Sequence, residues 1–203
     1  MRQGRFKDAP WFLVGPQEII VGGSGGIGSW TAMLLGRIGH NLYVYDDDSV
    51  DATNMGGQLF KTSDIGKRKT QACSENIKDF CDVEIEQYAL YEKESMASPI
   101  MISCFDNMVA RKQMFENWKA QEDRQIFIDG RLAAETGTVL TVLKGEEVKY
   151  EAHLFEDSEV EDAPCTFKAC SHSAALIASL MVASLNNYLA NLHMKADIRP
   201  VPF

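Results

Sequence analysis

Apolar positions along this chain alternate between two rhythms. Ile19-Ile20-Val21 is a short β-branched run that ends in Gly22-Gly23-Ser24-Gly25-Gly26-Ile27-Gly28. Trp30, Met33, Leu34, Leu35 and Ile38 then recur at helical spacing until Gly39, so the segment reads as strand, glycine turn, helix. Leu42-Tyr43-Val44-Tyr45 stops at Asp46-Asp47-Asp48 and has the unbroken hydrophobicity of a parallel strand covered on both faces. Residues 47–64 are polar and contain glycine, and a loop of that length in a domain usually carries function. The pattern next predicts a helix over 65–80, strands over 83–90 and 99–104, a helix over 109–119 capped by Asp106 or Asn107, and a strand over 125–129.

From Glu135 the rhythm changes. Residues 138–143 and 148–155 read as a hairpin around Gly145, 156–162 as an acidic solvated loop, and 173–193 as a largely apolar helix. Two prolines make 196–203 an extended tail. The alternation predicts an α/β fold: a Rossmann-like open, mostly parallel sheet flanked by helices, with an antiparallel C-terminal extension. With 203 residues, 1–203 is expected to be a single nucleotide-binding domain.

Composition narrows the function. Lys and Arg number 20 against 29 Asp and Glu, a net charge of −9, which argues against nucleic-acid and anionic-membrane partners. The longest apolar stretch, 174–185, is shorter than the ~20 residues of a membrane span, and 1–5 leads into no signal-peptide core, so a cytoplasmic location is expected. The five cysteines are irregularly spaced and suggest free thiols: Cys73, Cys81 and Cys104 as core residues, Cys165 and Cys170 near the last helix.

In Gly23-x-Gly25-x-x-Gly28 the first glycine makes the turn, the second lets backbone approach a phosphate, and the third lets helix pack on strand. Gly26 lies inside the same cradle, and the helix N-terminus adds unpaired N–H groups and partial positive charge. Asp46, ending the next strand, is placed to accept from ribose hydroxyls. To this point a dehydrogenase fits equally well.

The residues after Asp46 separate the two. Asp46-x-Asp48-x-Val50-x-x-x-Asn54-Met55-x-x-Gln58-Leu59-Phe60, then Asp64-Ile65-Gly66-Lys67-Arg68-Lys69, then Cys104-Phe105-Asp106-Asn107 with Arg111, resembles the E1-like activating enzymes of the ThiF, MoeB and HesA type. The resemblance covers roughly residues 17–195. It implies an ATP- and Mg2+-dependent enzyme that adenylates the C-terminal glycine of a small ubiquitin-like or sulfur-carrier protein ending in Gly-Gly, and that works as a homodimer. By the same resemblance Gly23, Gly25, Gly26 and Gly28 face the phosphates, Asp46 and Asp48 flank the ribose side, and Asn54 and Gln58 line the triphosphate pocket. Lys69 is then the phosphate lysine and Asp106 the Mg2+ ligand, which suits a hard ion.

One position departs from the family. An arginine there precedes the glutamine, and this chain has Gly57, losing a planar five-donor cation. Arg68, Arg131, or Arg2 or Arg5 lent by a second copy are the candidate replacements. Pro164-Cys165-Thr166 is similar to the setting of an E1 thioester cysteine, with structural cysteine and metal ligand as the other readings of Cys165. Cys165, Cys170 and His172 are one ligand short of a closed zinc site, so zinc is not expected. Two further readings stay open: an E1-like binding module that has lost turnover, and a nicotinamide-dependent oxidoreductase.

Overall fold

A computed structural model describes residues 6–81, 83–133, 136–156 and 170–194. The tail expected at 196–203, the acidic loop from residue 157 onward, and Arg2, Arg5 and Cys165 lie outside the described residues.

The two rhythms become strands and helices in the expected order. β1 (Glu18–Gly22), β2 (Asn41–Tyr45), β4 (Ile100–Ser103) and β5 (Ile126–Ala133) are each buried along most of their length, and β3 (Glu86–Tyr88) is a short exposed edge. With β6 (Thr136–Leu143) they form a 6-stranded sheet in the order β3-β2-β1-β4-β5-β6. The first five strands are parallel and β6 runs antiparallel to β5, which matches the expected fold class.

Side-chain alternation splits the core into two layers. Ile19, Val21, Leu42, Val44, Ile100, Ile102, Ile126 and Ile128 face α2 (Gly26–Ile38), α3 (Lys69–Cys81) and α6 (Ser171–Met194). Ile20, Met101 and Phe127 face the other way, against Met114, Phe115 and Trp118 of α4 (Met108–Lys119) and Tyr150 of α5 (Glu147–Glu151). A one-turn helix, α1 (Pro10–Leu13), precedes the sheet.

Three expectations are corrected. The antiparallel partner of β6 is β5, which runs on through Asp129-Gly130-Arg131 to Ala133, so the hairpin turns at the end of β5 and not at Gly145. Residues 147–151, expected as a strand, are α5, because burying Tyr150 between Phe115 and Phe127 needs one inward side chain and leaves Val148 exposed. The apolar stretch read as ending at residue 185 is part of the 24-residue α6, which by length and composition alone is long enough to cross a membrane. Its Ile177, Met181, Leu185 and Leu189 are instead buried on the sheet.

Candidate functional site

The strand order reverses direction of travel between β1 and β4, and in open parallel sheets ligands bind at the carboxyl edge beside such a point. The glycine turn leaves β1 there, Asp46 leaves β2, and Cys104 to Asn107 leave β4. Residues far apart in sequence thus meet at one edge.

The glycines of the turn have different reasons to be glycine. Gly23 has φ +85°, and a Cβ on it would come within 2.9 Å of the Cys104 carbonyl oxygen. A Cβ on Gly28 would lie 1.8 Å from the Gly23 carbonyl oxygen, so this glycine is fixed by the contact between helix and strand. Gly25 is different: its φ of −75° needs no glycine, and its Cβ would meet only Gln58 Nε2, at 3.8 Å. That space is open and is bounded by a side-chain amide. A Cβ on Gly26 would touch Ala174 of α6 at 3.9 Å.

The loop between β2 and α3 closes over this space. It holds two short 3-10 helices, Ala52–Gly56 and Thr62–Asp64. Asn54 closes a capping box with Asp51, its Oδ1 accepting from the Asp51 amide at 2.9 Å. α2 anchors the loop: Trp30 Nε1 donates to the Gly57 carbonyl at 3.3 Å, and Ser29 Oγ accepts from the Leu59 amide at 3.0 Å. Gln58 is held between these two ties, with its Oε1 buried and without a hydrogen-bond partner. The atom of this amide nearest the open space at Gly25 is Nε2, a donor that an anion could accept from.

On the β2 side Asp46 Oδ2 accepts from the Ser24 amide at 2.7 Å and from Ser24 Oγ at 3.1 Å, and Oδ1 from the Asp48 amide at 3.0 Å. Burial pushes the Asp46 carboxyl above the usual carboxylate range, opposed by nearby Lys69 and by these bonds. Lys69 opens α3, is 8% exposed, and donates to Asp48 Oδ2 at 2.6 Å. A buried ammonium and two carboxylates therefore stand at the cradle's rim.

Asp106 lies in the bend after β4 and is exposed. The cap of α4 belongs to its neighbour, Asn107, whose Oδ1 accepts from the Ala110 amide at 2.8 Å. Capping therefore does not explain Asp106, and its carboxylate is available to a cation.

The candidate substitutes for the missing arginine divide. Arg131 is committed: Nε donates to Asp129 Oδ2 at 2.7 Å and Nη1 to the His153 carbonyl at 2.8 Å. Arg68 is exposed and forms a β-bridge with Ser49, immediately before Lys69. The expected core thiols are buried: burial pushes Cys73 and Cys104 up to about 12, which leaves them poor nucleophiles, and Cys81 packs beside Met33. Cys170 Sγ lies 3.3 Å from His172 Nε2.

Sequence reasoning missed Asp129 (0% exposed), which also accepts from Tyr150 Oη at 2.9 Å, and the anchoring role of Ser29 and Trp30. The pattern places Asp129 at the end of a strand and gives it no role. No periodicity announces a carboxylate buried in a strand.

The pattern of the ThiF family matches residues 15–199. The ubiquitin-like modifier-activating enzyme 5 of Gallus gallus is 25% identical over 203 residues, covering 85% of this chain and 50% of that protein. The chain thus spans about half the length of that curated relative, and 36% of its counterpart in Branchiostoma floridae. Among solved structures, E. coli MccB with succinimide superposes with a TM-score of 0.73 at 15% identity, over 94% of this chain and 64% of that one. MccB solved with ATP gives 0.66 at 16% identity, over 90% and 58%. The E. coli tRNA N6-threonylcarbamoyladenosine dehydratase TcdA gives 0.70 at 17% identity, over 96% of both chains. At these identities the structural likeness speaks for the fold.

Proposed function

The chain belongs to the ThiF family, and from that premise we propose that it is an ATP-dependent adenylyltransferase activating the C-terminal glycine of a small ubiquitin-like or sulfur-carrier protein. The observation that carries the reading is the open space at Gly25, bounded by the donor Gln58 Nε2 and within the same carboxyl edge as Lys69 and Asp46. ATP, when bound, supplies an α-phosphorus that a carboxylate attacks with loss of pyrophosphate. The turn amides and the α2 N-terminus stabilise charge on the phosphates, Gln58 donates from its amide, and Lys69 adds the cation. Asp46 holds the turn through Ser24 and faces the ribose. Asp106 holds Mg2+, in keeping with its free carboxylate and hard-oxygen chemistry.

The chemistry needs no protein nucleophile for adenylation, and transfer of the acyl group to Cys165 would follow it. A homodimer in the cytoplasm is part of the same reading, with Arg2 or Arg5 of a second copy, or Arg68 of the same chain, standing in for the arginine that Gly57 replaces. Gly57 also favours a second reading, an E1-like module that binds nucleotide or partner without turnover. Exchange of labelled pyrophosphate into ATP, with carriers ending in Gly-Gly, tests the first reading: carrier-dependent exchange supports the enzyme. Protection from unfolding by Mg-ATP without any exchange supports the module, and protection by NAD alone overturns both.

A further inference from the structure

Beneath the bend that carries Asp106 lies a closed set of charges that the proposed chemistry does not use. Asp129, fully buried on β5, divides its two oxygens among three donors. Oδ2 accepts from Arg131 Nε at 2.7 Å and from Tyr150 Oη at 2.9 Å, which leaves Oδ1 for Arg111 Nη1. Arg111, on α4 and 6% exposed, uses the same nitrogen on the Gly130 carbonyl at 3.1 Å and its other one, Nη2, on the carbonyl of Phe105. Phe105 directly precedes Asp106. On the opposite side the bend is tied to the glycine turn by the Cys104 amide donating to the Gly22 carbonyl at 2.7 Å.

We propose that Arg111, oriented by Asp129, is a positioning residue that fixes the Phe105–Asp106 backbone and thereby sets the affinity of the Asp106 carboxylate for a divalent cation. The inference rests on the reading of Asp106 as the metal-holding residue. Only a planar fork can span Asp129, Gly130 and Phe105 at once, and a lysine ammonium in the same place keeps the charge but not the reach. Asp129 is needed because a buried guanidinium without its carboxylate would be an uncompensated charge. Residues that orient a metal ligand commonly change metal affinity by about 10- to 100-fold when altered.

The test uses Mn2+ as the probe, titrated by electron paramagnetic resonance against the full chain with a non-hydrolysable ATP analogue. Arg111→Lys is expected to weaken Mn2+ binding by about 10- to 100-fold, leaving metal-free binding of the analogue within about twofold. Amide hydrogen exchange at Cys104, whose N–H is bonded to the Gly22 carbonyl at the base of the bend, is expected to quicken by about tenfold or more in the same variant, as the bend loses a tie. Arg111→Gln, which leaves Asp129 paired with Arg131, should shift both readouts in the same direction and serves if Arg111→Lys does not fold. Unchanged Mn2+ affinity or unchanged exchange in a folded variant overturns the proposal. If the wild-type chain binds neither Mn2+ nor the analogue, the adenylation reading fails, and the exchange measurement alone still decides whether Arg111 holds the bend.

Discussion

Gly25 and Gly28 are interchangeable letters in the sequence and opposite cases in the structure. A Cβ on Gly28 meets the Gly23 carbonyl oxygen at 1.8 Å, so Gly28→Ala should destabilise the fold by about 4 kcal/mol or more, read as a lowered thermal midpoint. Gly25→Val has room, and should leave the midpoint near wild type while weakening ATP binding by more than about tenfold, measured by calorimetry. Normal affinity in that variant would make the cradle a mere turn. His40 gives a second test at this scale. It is 2% exposed, its Nδ1 accepts from the Gln17 amide at 3.1 Å, and burial lowers its pKa to about 4. Its folded pKa lies below the unfolded value of 6.5, so the unfolded chain takes up the proton first. The stability at issue is full above the unfolded pKa and is lost as pH falls toward the folded one. Between pH 7 and 5 the loss should be about 2 kcal/mol, and His40→Gln should remove that part of the slope in urea titrations at the two pH values.

The start of α4 shows two neighbours with separable tasks. Asn107→Ala removes the bond to the Ala110 amide and should cost about 1 kcal/mol of stability without abolishing pyrophosphate exchange. Asp106→Ala should do the reverse, with exchange lost and the thermal midpoint held; exchange surviving in it would remove Asp106 from the site. At this scale the sequence was legible where period and punctuation agree. β1 lies within a residue of its expected bounds and α2 ends where Gly39 stops it, while its first turn begins at Gly26, inside the expected glycine turn; the β-branched run, the glycines and the helical spacing otherwise point the same way. The failures have a physical cause. The strand expected to end at Asp129 runs on to Ala133, because Asp129 and Arg131 pair with each other inside it. Residues 148–155 alternated well enough for a strand, and only the tertiary pocket formed by Phe115 and Phe127 selects a helix there. Local pattern has no access to such partners.

For the whole molecule, the order β3-β2-β1-β4-β5-β6 gathers Gly23, Asp46, Lys69 and Asp106 from three connections to one edge. Their types and spacing were readable beforehand, as was the family resemblance that gave them roles. The ties that hold them were not, since Ser24 to Asp46, Trp30 to Gly57 and Arg111 to Asp129 join residues distant in sequence. A site assembled from separate connections should stabilise the entire fold when filled. Mg-ATP at about 100 times its dissociation constant should add about 2.7 kcal/mol to unfolding, and NAD at equal concentration none, in thermal denaturation. The tie from Trp30 to the loop above the cradle has an optical consequence. Trp118 is sealed in the core with its Nε1 on the Pro99 carbonyl, and Trp11 packs against Phe6 and meets Phe12 edge to face near the amino terminus. Trp30, partly exposed and bonded to Gly57, is the indole placed to sense the loop, so the protein's own ultraviolet emission should change in colour or intensity as nucleotide enters, and the Trp30→Phe chain should stay dark to it.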